Sequence, residues 1–262
     1  MIGRILVVAG PDSGGGAGTE ADIKTATAFG AYAATAITAL TAQNTLGIDQ
    51  VLPVPADFVA RAMRAVLSDI GADAVKTGML YDAATVAAVA DALDELAPQV
   101  PLVVDPVMVS SSGTRLLAED AIDLLTRRLI ARAAVVTPNL PEAEILLGRK
   151  IADLAEMAAA ALALAAHGPG AVVITGGHLA GPDICDVVAI DGEIDILRAP
   201  RIDSRSTHGT GCTFATAIAV GLAQGMVPRA AIRRARDYVR AAIRAAPGLG
   251  GGNGPLYHLP PD

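Results

Sequence analysis

Residues 207–213 read Thr-His-Gly-Thr-Gly-Cys-Thr and lead into an apolar helical stretch. Glycines at 209 and 211 let successive backbone N–H groups turn towards one point. The helix that follows adds its positive N-terminal end, so Gly209, Thr210 and Gly211 form a candidate anion site. Cys212 falls in or just before the first helical turn, where a thiolate is favoured. The same seven residues also suit an ordinary glycine-capped helix start with an inert cysteine. A second glycine-rich stretch, residues 10–18 (Gly-Pro-Asp-Ser-Gly-Gly-Gly-Ala-Gly), also follows a strand pattern and precedes a helical one. It lacks the Gly-Lys-Ser/Thr close of a phosphate loop and does not spell GxGxxG, so a flexible turn explains it equally well. Asp105, Asn139 and Glu142 stand after two apolar runs, where hard oxygen ligands can hold Mg²⁺ directly or through water. Asn139 and Glu142 fit the N-cap and N3 positions of a capping box, locally the stronger of the two readings, and the two are compatible. Asp22 and Lys24, two residues apart on one helix, do not face each other and read as a solvated face. His178 and His208 lack metal-ligand spacing, and no GxSxG follows a strand, which argues against a zinc site and against a Ser-His-Asp hydrolase.

Positioning these groups falls to a repeated strand–helix pattern. Short β-rich runs at 5–9, 35–39, 74–76, 102–105, 134–137, 172–175 and 187–190 alternate with helical stretches. The helices are expected at 18–29, 57–68, 83–96, 119–131, 141–147, 154–167, 211–223 and 228–246. Several strands are apolar throughout, as strands covered on both faces must be. The pattern predicts a doubly wound, mainly parallel sheet with right-handed crossovers. No linker, repeat or composition break interrupts it, so residues 1–262 are read as one domain. The polar and glycine-rich stretches gather just after strands, the place where open α/β sheets bind ligands.

Composition narrows the classes. The chain has 262 residues, 52% hydrophobic against 18% charged, enough to bury a core and too apolar for disorder. A net charge of −7, with no tryptophan, four tyrosines and three phenylalanines, argues against a nucleic-acid partner. Two cysteines make no disulfide framework, which fits a reducing cytosol. The N-terminal apolar run is too short for a secretory signal, and no run is long enough to span a membrane, so a cytoplasmic protein is expected.

The ordered set GPDSGGGAG-x-x-ADIKT, ITALTAQNT, KTGML, DPVM-x-x-SSG, TPNLPEAE, GGH, STHGTGCT and GNGPLYH, spread over nearly the whole chain, resembles the hydroxymethylpyrimidine/phosphomethylpyrimidine kinases of thiamine biosynthesis. These form a branch of the ribokinase-like superfamily. The resemblance implies a three-layer α/β/α fold, and a homodimer that uses MgATP to phosphorylate 4-amino-5-hydroxymethyl-2-methylpyrimidine, first to the monophosphate and then to the diphosphate. By match of motif it also implies a substrate site with Gln43 on the aminopyrimidine edge, Asp22 nearby, Met79 and Val107 as apolar walls and Gly10 in the first loop. The Gly209–Cys212 turn becomes the anion hole for the transferred phosphoryl group. Asp105 and Glu142 fall on the Mg²⁺ side, with Asn139, Glu142 and Thr175 towards ATP.

The sequence departs from this family at Thr175, where a lysine commonly precedes Gly-Gly-His and reaches the ATP phosphates. Lys76, one of three lysines, is the candidate replacement. The usual Gly-Ile-Gln-Ala-Asp is here Gly-Thr-Glu-Ala-Asp at 18–22. Sugar-kinase relatives carry a base aspartate where Cys212 stands, which makes a Cys212 thiolate the expected base for the hydroxymethyl group. Two alternatives remain: a kinase for pyridoxal, which also carries a hydroxymethyl group on a nitrogen heteroaromatic ring, and a catalytically weak pyrimidine-binding protein on the same scaffold. The serine run before Gly113 has the flexibility a lid needs, but the sequence does not say whether it closes as one.

Overall fold

A computed structural model describes residues 2–110 and 113–259. Ser111 and Ser112, part of the serine run before Gly113, lie outside the described residues. In chain order the elements are β1 (Arg4–Ala9), α1 (Gly18–Ala28), β2 (Tyr32–Ile37), β3 (Ala39–Asn44), β4 (Gly47–Pro53) and α2 (Ala56–Asp69). There follow β5 (Ala74–Thr77), α3 (Ala83–Leu96), β6 (Leu102–Val104), α4 (Ala121–Arg128), β7 (Val135–Val136) and α5 (Leu140–Leu147). The chain closes through α6 (Leu154–Ala165), β8 (Ala171–Ile174), β9 (Asp183–Ile190), β10 (Glu193–Pro200), α7 (Thr210–Ala223) and α8 (Pro228–Arg244).

Eight strands form one sheet in the order β10-β9-β8-β7-β6-β5-β1-β2. From β2 to β8 the pairings are parallel, and β9 and β10 extend the sheet antiparallel. Alternation along each strand builds the two faces. Leu6, Val8, Val75, Leu102 and Val104 pack with α2, α3 and α4 on one side. Ile5, Val7, Ala74, Val103 and Val135 pack with α7 and α8 on the other. Val172, Ile174 and Val187 continue the first face under α5 and α6. The three-layer expectation therefore holds.

Two local features were not placed in advance. Residues 39–53 form a separate two-stranded hairpin, β3–β4, with a register shift between Ala42 and Gln43. The edge strand β10 returns from β9 through Asp191 and Gly192, both at positive φ (55° and 77°). That is the Asp-Gly geometry that matches a hairpin's twist.

Candidate active site

A cavity of about 1000 Å³ opens beyond the carboxyl ends of β1, β5, β6, β7 and β8. Every candidate residue named above lines it except Asp22. Each lining group has a structural reason to be there. The α7 start is built on Gly209, which caps the helix at φ 82° without a side-chain cap. Among the described residues the N–H groups of Gly211 and Cys212 have no hydrogen-bond partner and face the cavity end of the helix. They are orphan donors of a helix start and suit an anion.

The first loop is held by one carboxylate. Asp12 accepts the N–H of Gly14 at 2.8 Å, and those of Gly16 and Ala17 at 2.9 Å each. Ser13 grips the hairpin, its hydroxyl donating to the Gln43 carbonyl and accepting the Gln43 N–H, both at 2.7 Å. Thr41 donates to the Pro11 carbonyl at 2.8 Å. These bonds carry β3, and Gln43 with it, over the cavity.

Beneath the α7 start lies a buried charge cluster. The Lys76 ammonium sits 3.0 Å from one Asp22 oxygen, 3.1 Å from the other and 3.7 Å from Asp105. Asp22 also accepts from Thr216 at 2.5 Å, and both Lys76 and Asp22 are fully buried. Asp22 was expected beside the substrate. It lies instead under the cavity floor, because Lys76 and Thr216 occupy its oxygens. Lys76 was the candidate replacement for the missing lysine at 175. It stands on β5, three strands from β8 and hence about 14 Å away, with its charge committed to Asp22 and Asp105.

Asp105 faces the α7 start: a Cβ on Gly211 would lie 3.9 Å from its Oδ1. Burial, opposed by Lys76, lifts the Asp105 carboxyl to about 6. Burial and the neighbouring Asp105 lift Glu142 to about 8, against the N–H groups of Asn139 and Met108. Asn139 and Glu142 do form the reciprocal capping box of α5, with bonds of 2.8 and 2.9 Å. The resting thiolate expected at Cys212 is not favoured. Burial pushes the thiol up to about 12; Lys76 pulls it down, but Asp105 and Asp22 add to the rise. Cys212 rests as a thiol close to Asp105.

Thr175 follows β8, its N–H bonded to the Pro138 carbonyl at 3.0 Å. Positive charge on this side comes from arginines that the motifs did not reveal. Arg236 on α8 bonds Asp186 at 2.7 Å, and Asp186 accepts the Gly176 N–H at 2.9 Å. Arg201 fastens the 177–181 loop through carbonyls of Gly177 and Gly181 at 3.0 and 3.1 Å. Arg240 bonds the Pro200 carbonyl at 2.9 Å and lines the same cavity. The signal for Arg236 and Arg240 was the arginine-rich polar face of α8, indistinguishable in sequence from a solvated one, and Arg201, just after β10, had none.

A parallel sheet whose strand ends converge on an open helix start, carboxylates and arginines defines a phosphotransferase of ribokinase-like fold. The chain belongs to the phosphomethylpyrimidine kinase family, which it matches over residues 12–257. It is 49% identical to the hydroxymethylpyrimidine/phosphomethylpyrimidine kinase of Rhizobium meliloti over 99% of this chain and 98% of that protein. It is also 49% identical to a thiamine biosynthesis bifunctional protein of Geobacter sulfurreducens, over 98% of this chain but only 52% of that longer protein. The ADP complex of Bacillus subtilis pyridoxal kinase superposes with a TM-score of 0.91 at 34% identity, covering 98% of both chains. Among the described residues no helix is long and apolar enough to cross a membrane.

Proposed function

We propose that this cavity transfers the γ-phosphoryl group of ATP twice, first to the hydroxymethyl oxygen of 4-amino-5-hydroxymethyl-2-methylpyrimidine and then to the resulting monophosphate. The observation that carries the reading is that Gln43 and the Gly209–Cys212 turn open into one cavity and are joined through His208. Gln43 pairs with the aminopyrimidine edge, Met79 and Val107 flank the ring, and Gly10 leaves room for Met79 to close over it. The turn receives the transferred phosphoryl group. Asn139, Thr175 and the arginines of α8 lie towards ATP.

A divalent cation fits the carboxylates present. Asp105 Oδ2 is buried without a hydrogen-bond partner, and Glu142 is raised by burial and then by the nearby Asp105. Among the described residues no cluster of three or more His, Cys, Asp or Glu could hold a metal alone. That suits Mg²⁺, which one or two carboxylates hold with phosphate oxygens and water supplying the rest. The bound ion would neutralise charge on the phosphates. The protein acts in the cytoplasm as a homodimer, as a single domain of residues 1–262.

The base for the first transfer is the Cys212–Asp105 pair. As the hydroxymethyl oxygen attacks phosphorus, its proton passes to Cys212 Sγ while the thiol proton passes to Asp105. A phosphate monoester, with a second pKa of about 6, is already largely deprotonated and needs no such base. Cys212→Ala is therefore expected to slow the first phosphorylation by about 100-fold or more and the second by less than about tenfold. Resolving mono- and diphosphate over time checks this, and equal losses would make Cys212 an element of packing or of the anion hole and not a base. The same assay with pyridoxal in parallel tests the substrate: pyridoxal phosphate as the sole product would replace the pyrimidine reading.

The two raised carboxylates also set a pH dependence. Asp105 and Glu142 hold protons more tightly folded than unfolded, so their stabilising contribution is complete below about pH 4 and is lost as pH rises through about 6 and 8. The melting temperature of the ligand-free protein should fall between pH 5 and 8.5, read by thermal scanning. Glu142→Gln, which keeps the capping box possible, should flatten the part above about pH 7. An unchanged slope in that variant would refute the assignment.

A further inference from the structure

Asp12, His208 and Gln43 form a chain outside the phosphoryl-transfer chemistry. His208 Nε2 lies 2.8 Å from Asp12 Oδ2, and the Gln43 carboxamide lies 3.2 Å from the same ring nitrogen, amino end nearest. His208 and Asp12 are both buried, with exposures of 8% and 1%. Asp12 Oδ2 already accepts two backbone N–H groups, at Gly16 and Ala17. It is an acceptor only, so the hydrogen between it and His208 belongs to the imidazole. An Nε2–H group cannot accept from an amide NH₂. A half-turn of the Gln43 amide replaces that donor–donor contact by Oε1, so that the single Nε2–H, held mainly by Asp12 at 2.8 Å, is shared with Oε1 as the long arm of a three-centre bond.

We infer that His208, fixed in its Nε2–H form by Asp12, is a positioning residue that sets which way round Gln43 presents its amide to the cavity. With Oε1 turned to His208, the NH₂ group projects as a donor, and the remaining lone pair of Oε1 is an acceptor beside it. That pair matches a heteroaromatic edge with a ring-nitrogen acceptor next to an exocyclic amino donor. It opposes a 4-oxo edge, where ring N–H and carbonyl stand in the reverse order. The His208 ring packs against Gly16, where a Cβ would come within 2.7 Å of its Cδ2, so the imidazole cannot swing aside to follow an inverted amide. The inference rests on the pyrimidine reading above and adds to it the origin of the amino-over-oxo choice.

The test compares kcat/KM for the 4-amino substrate and its 4-oxo analogue in wild type, His208→Gln and His208→Phe. Glutamine can place an NH₂ donor near the position of Nε2, and phenylalanine fills the ring space without any donor. Wild type and His208→Gln should prefer the amino compound strongly, and His208→Phe should lose at least about tenfold of that preference, mostly through KM. A merely structural role would lower both substrates equally and leave the ratio unchanged, which overturns the inference. In the ligand-free wild type, ¹⁵N NMR of the imidazole should show a protonated Nε2, and an Nδ1–H form would overturn it independently of any variant's folding. A wild type that phosphorylates neither pyrimidine while Nε2 is protonated would instead sink the functional reading.

Discussion

Gly209→Ala will reduce kcat/KM for the first phosphorylation by at least about 100-fold while leaving most of the fold intact. Gly209 caps α7 at φ 82°, in the left-handed region where a side chain costs about 1–3 kcal/mol. The added methyl would also run into the Gly16 carbonyl. Gly16 cannot retreat, because its N–H is bonded to Asp12 at 2.9 Å and the His208 ring lies against it. The strain is relieved only by moving the turn. Its donors at Gly211 and Cys212 must then leave the position where charge develops, and displacing one such donor typically costs 100- to 1000-fold in rate. The body of α7 lies far from the clash: residues 213–221 are buried against the sheet and α8. The check pairs steady-state kinetics with a melting curve. Near-wild-type turnover would mean that the α7 start does not hold the transferred group.

Much of this architecture was legible because it is dictated locally. The parallel strands are short and apolar on both faces, and α3 begins at an aspartate cap, Asp82, bonded to the Thr85 N–H at 2.8 Å. The ligand cavity followed from glycines and polar residues clustering after strands, which needs only chain order and the rule that α/β sheets bind ligands there. The β3–β4 hairpin was less legible: it exposes Leu40 and Leu52 and buries little, so its alternation is weak. The edge strand β10 did carry a signal, the Asp191-Gly192 turn, that a reading tuned to parallel strands passed over.

The site was legible in its membership and not in its electrostatics. Motif order brought Gln43, Asp105, Glu142 and the Gly209–Cys212 turn to one cavity. It could not say that Asp22 is turned inward, since the partner that turns it, Lys76, lies 54 residues away on another element. Nor could it show that Cys212 faces two carboxylates. A helix start lowers a thiol in isolation, but long-range burial and like charge decide the outcome here. Its neighbours in sequence give His208 no partner. Its tie to Asp12 spans 196 residues and exists only in three dimensions.

Lys76 is the residue whose removal should cost the most stability. It is fully buried, and its ammonium is shared between Asp22 and Asp105. Lys76→Met keeps the volume and the apolar stem but strands two carboxylates in the interior, one of them, Asp105, with an oxygen that already lacks a partner. Breaking a buried pair in this way costs about 3–5 kcal/mol. The loss has a pH signature. Without the ammonium, both carboxylates take up protons more readily than in the unfolded chain, so stability falls as pH rises. Denaturation at pH 5.5 should therefore show a smaller penalty than at pH 8. Adding Asp22→Asn should recover part of it, because one stranded charge is gone and the amide can still accept from Thr216. Activity should not return with the stability. Asp105 would then be largely protonated and unable to take the Cys212 proton, so the double variant separates Lys76's structural role from its catalytic one. A Lys76→Met protein as stable at pH 8 as wild type would mean that the carboxylates are neutral from the outset, and the ion-pair account would fail.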